Sequence, residues 1–310
     1  MSSMRLHRTT ARGALLLILL AAVTAGAAVA HPPPVDSKPK PKQAVGPIVF
    51  PVVGPVGYTN DFGDPRGSRG HEGNDIMAPK RSLAVAAEGG TVKFWTTSSS
   101  AGCMLYLYGD SGRTYLYIHL NNDLTLGNDN RGKCVPGVSY ATGLANGDRV
   151  EAGQHVGFVG DSGDANGIAS HLHFEVHPGG GSGVNPFPYL NAATHLLFAA
   201  APDSTFTLAL TGTVVAAGAG SIQIAISQVR SWPGGRRTPF DGKTVVEVSL
   251  PDTAEVDEGA VTAMLAPKLD RSLKGKTVVI WTAPAKATLA ARSGAKGALE
   301  AARVVLKNAG

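Results

Sequence analysis

The chain has 310 residues, of which 43% are hydrophobic and 16% charged, with 28 Lys+Arg against 23 Asp+Glu. Part of that positive balance is Arg5, Arg8 and Arg12; without residues 1–30 it falls to 25 basic against 23 acidic, a net of +2. A nearly neutral chain with no Lys/Arg tract interleaved with aromatics does not read as a nucleic-acid binder, and its length suits two domains.

Residues 1–30 read as a secretory signal peptide. A basic head precedes an apolar run over residues 14–23, and Ala28-Val29-Ala30 offers small residues at a cut site before "HPPP". Export to the extracytoplasmic space follows, as a secreted or wall-associated protein with no stable membrane insertion after cleavage. The competing reading is a membrane anchor, since residues 13–30 reach about the minimum length that spans a bilayer. The second half of that stretch, however, is Ala, Gly and Thr rather than Leu. No cysteine stands near the cut, which argues against lipoprotein processing. Residues 31–47, rich in Pro and Lys, read as an extended linker.

From 48 to 195 the chain alternates short β-branched or aromatic runs with Gly, Asp and Asn turns, which predicts an antiparallel β domain. "GDSG" at 109–112 is placed to close a hairpin. Cys103 and Cys134 are the only cysteines. An even count in an exported chain predicts a disulfide, which contributes about 3–4 kcal/mol by closing a loop of roughly thirty residues. A second composition shift near residue 200 opens a region, 203–310, that reads as a small β-barrel or sandwich of accessory role. Within it "GALEAARVVLK" has helical spacing, and Trp232 and Trp281, taken singly, read as core or edge residues rather than sugar binders.

The chemistry concentrates in "SHLHFEVHPGGG". In an extended strand His171, His173, Glu175 and His177 share one face, while Leu172, Phe174 and Val176 face a core. "GHEGNDI" adds His71 and Asp75, and "YLYIHL" adds His119. Two histidines and an aspartate meet the ligand count of a catalytic zinc site, which lowers the pKa of bound water towards ~7. His119 and the remaining member of the His-x-His pair would then serve as base and oxyanion donor. Glu175 has two readings, an acceptor orienting an imidazole or a solvated carboxylate. His177, Asp161 and Asp164 read as turn residues, and His155 as having no role.

"HEGND", "YIHL" and "HLHFE", in this order and in matching glycine-rich context, resemble the lysostaphin-type (LytM-like) zinc metallopeptidases. The likeness runs from "DFGDPRGSRG" through "VNPFPYL", about residues 48–190. It implies a compact antiparallel metallopeptidase fold holding one Zn2+ on His71, Asp75 and His173, with His119 and His171 as the catalytic pair. It also implies an exported endopeptidase acting on peptidoglycan, in the stem peptide or the cross-link. The alternative is a catalytically inactive relative that binds the wall or activates another hydrolase; such members usually lack one of the five positions, and this chain keeps all five. The cysteine pair is not a general feature of the family.

Overall fold

The β-branched and aromatic runs fold as strands, and the alternation within each decides which face it buries. The computed structural model describes residues 46–218, 220–257, 264–265 and 273–307. The signal segment and residues 31–45 of the linker lie outside the described residues. Through residue 178 the strands are β1 (Pro65–Arg66), β2 (Arg69–Gly70), β3 (Asn74–Met77), β4 (Leu83–Val85) and β5 (Gly90–Ser98). They continue with β6 (Gly102–Gly109), β7 (Arg113–Leu120), β8 (Arg149–Val150), β9 (His155–Phe158) and β10 (His171–Pro178). Six form one antiparallel sheet in the order β3-β10-β7-β6-β5-β8, while β1 pairs with β2 and β4 with β9.

The alternation of β10 is realised as the sequence predicts. Leu172, Phe174 and Val176 enter a core that also holds Ile76, Leu105, Leu107, Tyr115 and Tyr117. Tyr117 is wholly buried, and its hydroxyl donates to the Val85 carbonyl at 3.0 Å while accepting the Ala87 N–H at 2.8 Å. The polar end of a buried tyrosine is thereby satisfied. The "GDSG" turn closes β6 onto β7, with Gly112 at φ +80, a conformation that favours glycine. Cys103 on β6 is bonded to Cys134, Cα–Cα 5.2 Å, which ties the segment after β7 back to the sheet.

After the short helix α1 (Phe187–Asn191) come β11 (Thr205–Gly218), β12 (Ser221–Trp232), β13 (Arg237–Pro239), β14 (Val245–Ser249) and β15 (Glu255–Asp257). The chain ends with β16 (Met264–Leu265), β17 (Thr277–Thr282), β18 (Ala285–Lys286), helix α2 (Leu289–Ser293) and β19 (Ala301–Leu306). These strands make one continuous nine-stranded sheet with its own core of Leu208, Leu210, Val229, Ile280 and Val304. The helical expectation for "GALEAARVVLK" fails: none of residues 297–307 is helical. Residues 301–306 are a strand, antiparallel to β17 and parallel to β15, because Ala301, Val304 and Leu306 find a core between two open strand edges. That partnership outweighs a weak local helix preference.

Candidate metal centre

β10 lies between β3 and β7, so one strand collects side chains from both neighbours. Register places His173 directly opposite Asp75 of β3. His71 lies outside any strand, in the turn that joins β2 to β3. The turn passes close under the site: a Cβ on Gly73 would fall 2.6 Å from His173 Nε2 and 2.7 Å from the Phe174 carbonyl oxygen.

Three ligand atoms converge. His71 Nε2 is 2.9 Å from His173 Nδ1, and Asp75 Oδ1 lies 3.1 Å from the first and 3.0 Å from the second. The other nitrogen of each imidazole is already committed. His71 Nδ1 donates to the Asp61 carbonyl at 2.9 Å, and His173 Nε2 donates to Glu175 Oε1 at 3.0 Å. Two lone pairs and a carboxylate oxygen therefore point at one another, an arrangement that repels itself until a cation enters. The three edges approach the ~3.3–3.4 Å expected between ligands around a tetrahedral ion with ~2.0–2.1 Å bonds. Donor type, tautomer and spacing all fit a divalent transition metal, with Glu175 as the outer acceptor that orients His173.

The same crowding shows in the protonation of the metal-free triad. Burial disfavours a charged His173, but the bonds to Asp75 and Glu175 outweigh it and raise its pKa to about 9. Asp75 is likewise penalised by burial, yet its two histidine partners hold it well below the usual carboxylate range. Glu175, whose Oε2 also accepts from His177 Nε2 at 2.5 Å, is held near 2 by its histidines against the opposing effect of burial.

His119 and His171 flank this triad, their ring centroids 5.1 Å apart. Each spends Nδ1–H on a backbone carbonyl, His119 on Ser162 at 2.8 Å and His171 on Ala169 at 2.9 Å, which leaves the Nε2 lone pairs for other partners. His171 Nε2 is 3.8 Å from Asp75 Oδ1. Burial, then the charge of His171, lowers the pKa of His119 to about 4, so it is neutral and accepting in the physiological range. A cleft of about 420 Å3 runs over all five side chains, with Arg66, Asp164 and Ile168 on its walls.

Simple alternation would not put His119 there. Tyr115 and Tyr117 face the core, so His119, two residues on, should follow them. Between Cys103/Leu105 and Leu120/Tyr117 the register slips, β7 gaining one residue over β6. His119 takes φ +62 at that point, Leu120 turns into the core in its place, and the imidazole swings to the site face. A bulge that re-aims a side chain is the device involved.

Several supporting residues escaped the sequence reading. Asp61 accepts from His71 through its carbonyl, and its carboxylate takes Asn74 Nδ2 at 2.7 Å and the Asp75 N–H at 3.3 Å. Arg66 donates to Asp75 Oδ2 at 2.7 Å, which leaves Oδ1 for the triad. Asp164, read as a turn former, approaches His119 Nε2 to 3.7 Å. His177, read as a turn residue, lies within β10, where it donates to Glu175 and to the Gly181 carbonyl. The one available signal was the density of Asp, Arg and Gly in "NDFGDPRGSRG".

No family model and no curated protein matches the chain. Among solved structures it is similar to a provisionally assigned glycyl-glycine endopeptidase LytM from Ruminococcus gnavus, 26% identical with a TM-score of 0.38, over 46% of this chain and 59% of that one. It is similar to the catalytic domain of the prophage-encoded M23 protein EnpA from Enterococcus faecalis at 28% identity and a TM-score of 0.33, over 44% and 92% of the two chains. The catalytic domain of the antimicrobial peptidase lysostaphin from Staphylococcus simulans aligns at 23% identity and a TM-score of 0.32, again over 44% and 92%. The chain thus spans under two thirds of the first of these, and each similarity covers less than half of it. What the site can do is decided by its donor set and geometry rather than by these overlays.

Proposed function

We propose that the chain is an exported zinc endopeptidase that hydrolyses peptide bonds of bacterial cell-wall peptidoglycan, with His71, Asp75 and His173 as ligands. The observation that carries this reading is the convergence of three donor atoms within 2.9–3.1 Å, each imidazole having its second nitrogen tied to an outer acceptor. A zinc ion there supplies Lewis acidity, lowering the pKa of water and polarising the scissile carbonyl. The chain's own residues do the rest. Arg66 and Glu175 fix the orientation of Asp75 and His173. The Nε2 lone pair of His119 or His171 takes a proton from the attacking water. As an imidazolium the same ring then donates from Nε2, to the developing oxyanion or to the departing amine. The cleft is open enough to admit an extended peptide, and its walls carry one cation, Arg66, and one anion, Asp164, outside the triad. The signal-like first thirty residues support an extracytoplasmic location, and among the described residues no helix is long and apolar enough to cross a membrane.

The test is a paired measurement on residues 31–310 and the His173→Ala variant. Zinc is counted by elemental analysis, and fragments released from purified peptidoglycan are read by mass spectrometry. One zinc per chain and new free amino termini, both lost in the variant, are the expected result. Zinc without cleavage, on walls of several cross-link types, would replace this reading with an inactive wall-binding relative. No zinc at all would remove the ligand assignment.

A further inference from the structure

The outer face of the C-terminal sheet gathers residues that stand far apart in the chain. Across the strands Arg237 lies opposite Arg230, Arg230 opposite Ala209, Ala209 opposite Trp281, and Trp281 opposite Arg303. Trp232 shares this face with Arg230, and its ring centroid is 5.0 Å from that of Trp281 at an interplanar angle of 30°. The Arg230 guanidinium carbon sits 4.7 Å over the Trp232 ring. The opposite face, through Leu208, Leu210, Val229 and Ile280, is the core, so the two indoles are not needed to build it. Ala209, beneath the rings, is 7% exposed, while Trp281 remains 40% exposed.

The charges are as telling as the rings. Like charges directly opposite each other on a sheet face are destabilising, yet Arg230 and Arg237 are placed that way. Arg303 is matched by Asp257 at 2.6 Å. Among the described residues no carboxylate pairs with Arg230 or Arg237, and Arg230 Nε is buried without a hydrogen-bond partner. Two half-open aromatic planes beside two unmatched guanidinium groups favour a ligand that offers flat apolar faces and anionic groups at a spacing of a few ångströms. A polysaccharide with carboxylate substituents does so: its sugar C–H faces cover the indoles, and its carboxylates take the forked donors of arginine.

We propose that Trp232 and Trp281, flanked by Arg230 and Arg237, form a binding face for an acidic glycan strand. None of these residues lines the metal cleft, so the inference stands whether or not the zinc reading holds. The experiment uses residues 31–310 in chelator, so that the wall is not cut, and measures co-sedimentation with purified peptidoglycan, whose stem peptides carry carboxylates. Chitin, an amino-sugar polymer without acids, is the control. Trp281→Ala and the Arg230→Gln/Arg237→Gln pair should each weaken binding to peptidoglycan about tenfold, the ~1.4 kcal/mol expected of a contributing but partly exposed interface side chain. Added salt should weaken it further, and chitin should bind far less. Unchanged far-UV circular dichroism and an unchanged melting temperature in both variants report that they are folded. Wild-type binding by Trp281→Ala would overturn the aromatic face, and equal binding of chitin would overturn the anionic character of the ligand.

Discussion

In the metal-free triad a proton occupies the place where a metal fits. His173 titrates near 9 because Asp75 and Glu175 both favour its charged form, and that proton must leave before Nδ1 can act as a ligand. Below that pKa zinc competes with the proton; above it there is no proton to expel. Zinc affinity is therefore expected to rise about tenfold per pH unit between ~6.5 and ~8. Calorimetry in buffers of different ionisation enthalpy should read close to one proton released per zinc in that window. Release that is already absent at pH 7 would contradict the assignment. The sign for folding is opposite. A pKa raised above the ordinary 6.5 contributes stability that is complete below ~6.5 and lost as pH rises through about 9, so the metal-free chain should weaken on the alkaline side. Gly73 supplies an independent check. A methyl group there meets His173 Nε2 and the Phe174 carbonyl, so Gly73→Ala should cost ~10–100-fold in zinc affinity, measured by competition with a chromophoric chelator, with no ligand removed.

At the scale of the element, β10 was legible and β7 was not. Four polar and three apolar residues in strict alternation leave one way to bury β10, and that alternation delivers His171, His173 and Glu175 to one face. In β7 the same rule misleads, because Tyr115 and Tyr117 would carry His119 into the core. Its placement on the face of the triad depends on a one-residue slip against β6, for which a run of strand-forming residues gives no sign. Asp61, Arg66 and Gly73 stayed hidden for a related reason: their roles lie in a carbonyl, a second carboxylate oxygen and a missing Cβ. The disulfide was legible from cysteine count alone. It anchors the chain 31 residues on to the strand beside that slip, and its loss should lower stability by about 3–4 kcal/mol. Denaturant unfolding of Cys103→Ala/Cys134→Ala checks this. Since neither cysteine touches the triad, zinc stoichiometry should remain at one, and a variant that is stable but metal-free would show the bridge to hold the site itself.

Over the whole molecule, the composition shift near residue 200 marks the opening of a second region, and the residues around it are pinned to both. Leu196 packs with Val49, Val53, Leu83, Val85 and Phe158, while Leu197 and Phe198 enter the core of the C-terminal sheet. Three successive side chains thus belong to two cores. The connection is doubled by polar contacts in which arginines from the C-terminal part bind carbonyls of the part that carries the candidate metal site. Arg292, 3% exposed, donates to the Ala152 carbonyl at 2.8 Å, and Arg236 donates to the Arg81 carbonyl at 2.8 Å. Burying Arg292 is costly; burial lowers its pKa, and its Nε and Nη1 lack partners. Such a group is tolerated only where the surrounding packing holds it in place. The described residues from 46 onward accordingly cluster as one compact unit. The expected outcome is a single calorimetric transition for residues 31–310, with calorimetric and van't Hoff enthalpies in agreement. Residues 31–200 alone should unfold at lower temperature, because Leu197 and Phe198 lose their core and the Ala152 carbonyl its donor. Two separated transitions in the intact chain, or an unshifted midpoint for residues 31–200, would mean that the shared cores do not couple the metal site to the C-terminal sheet.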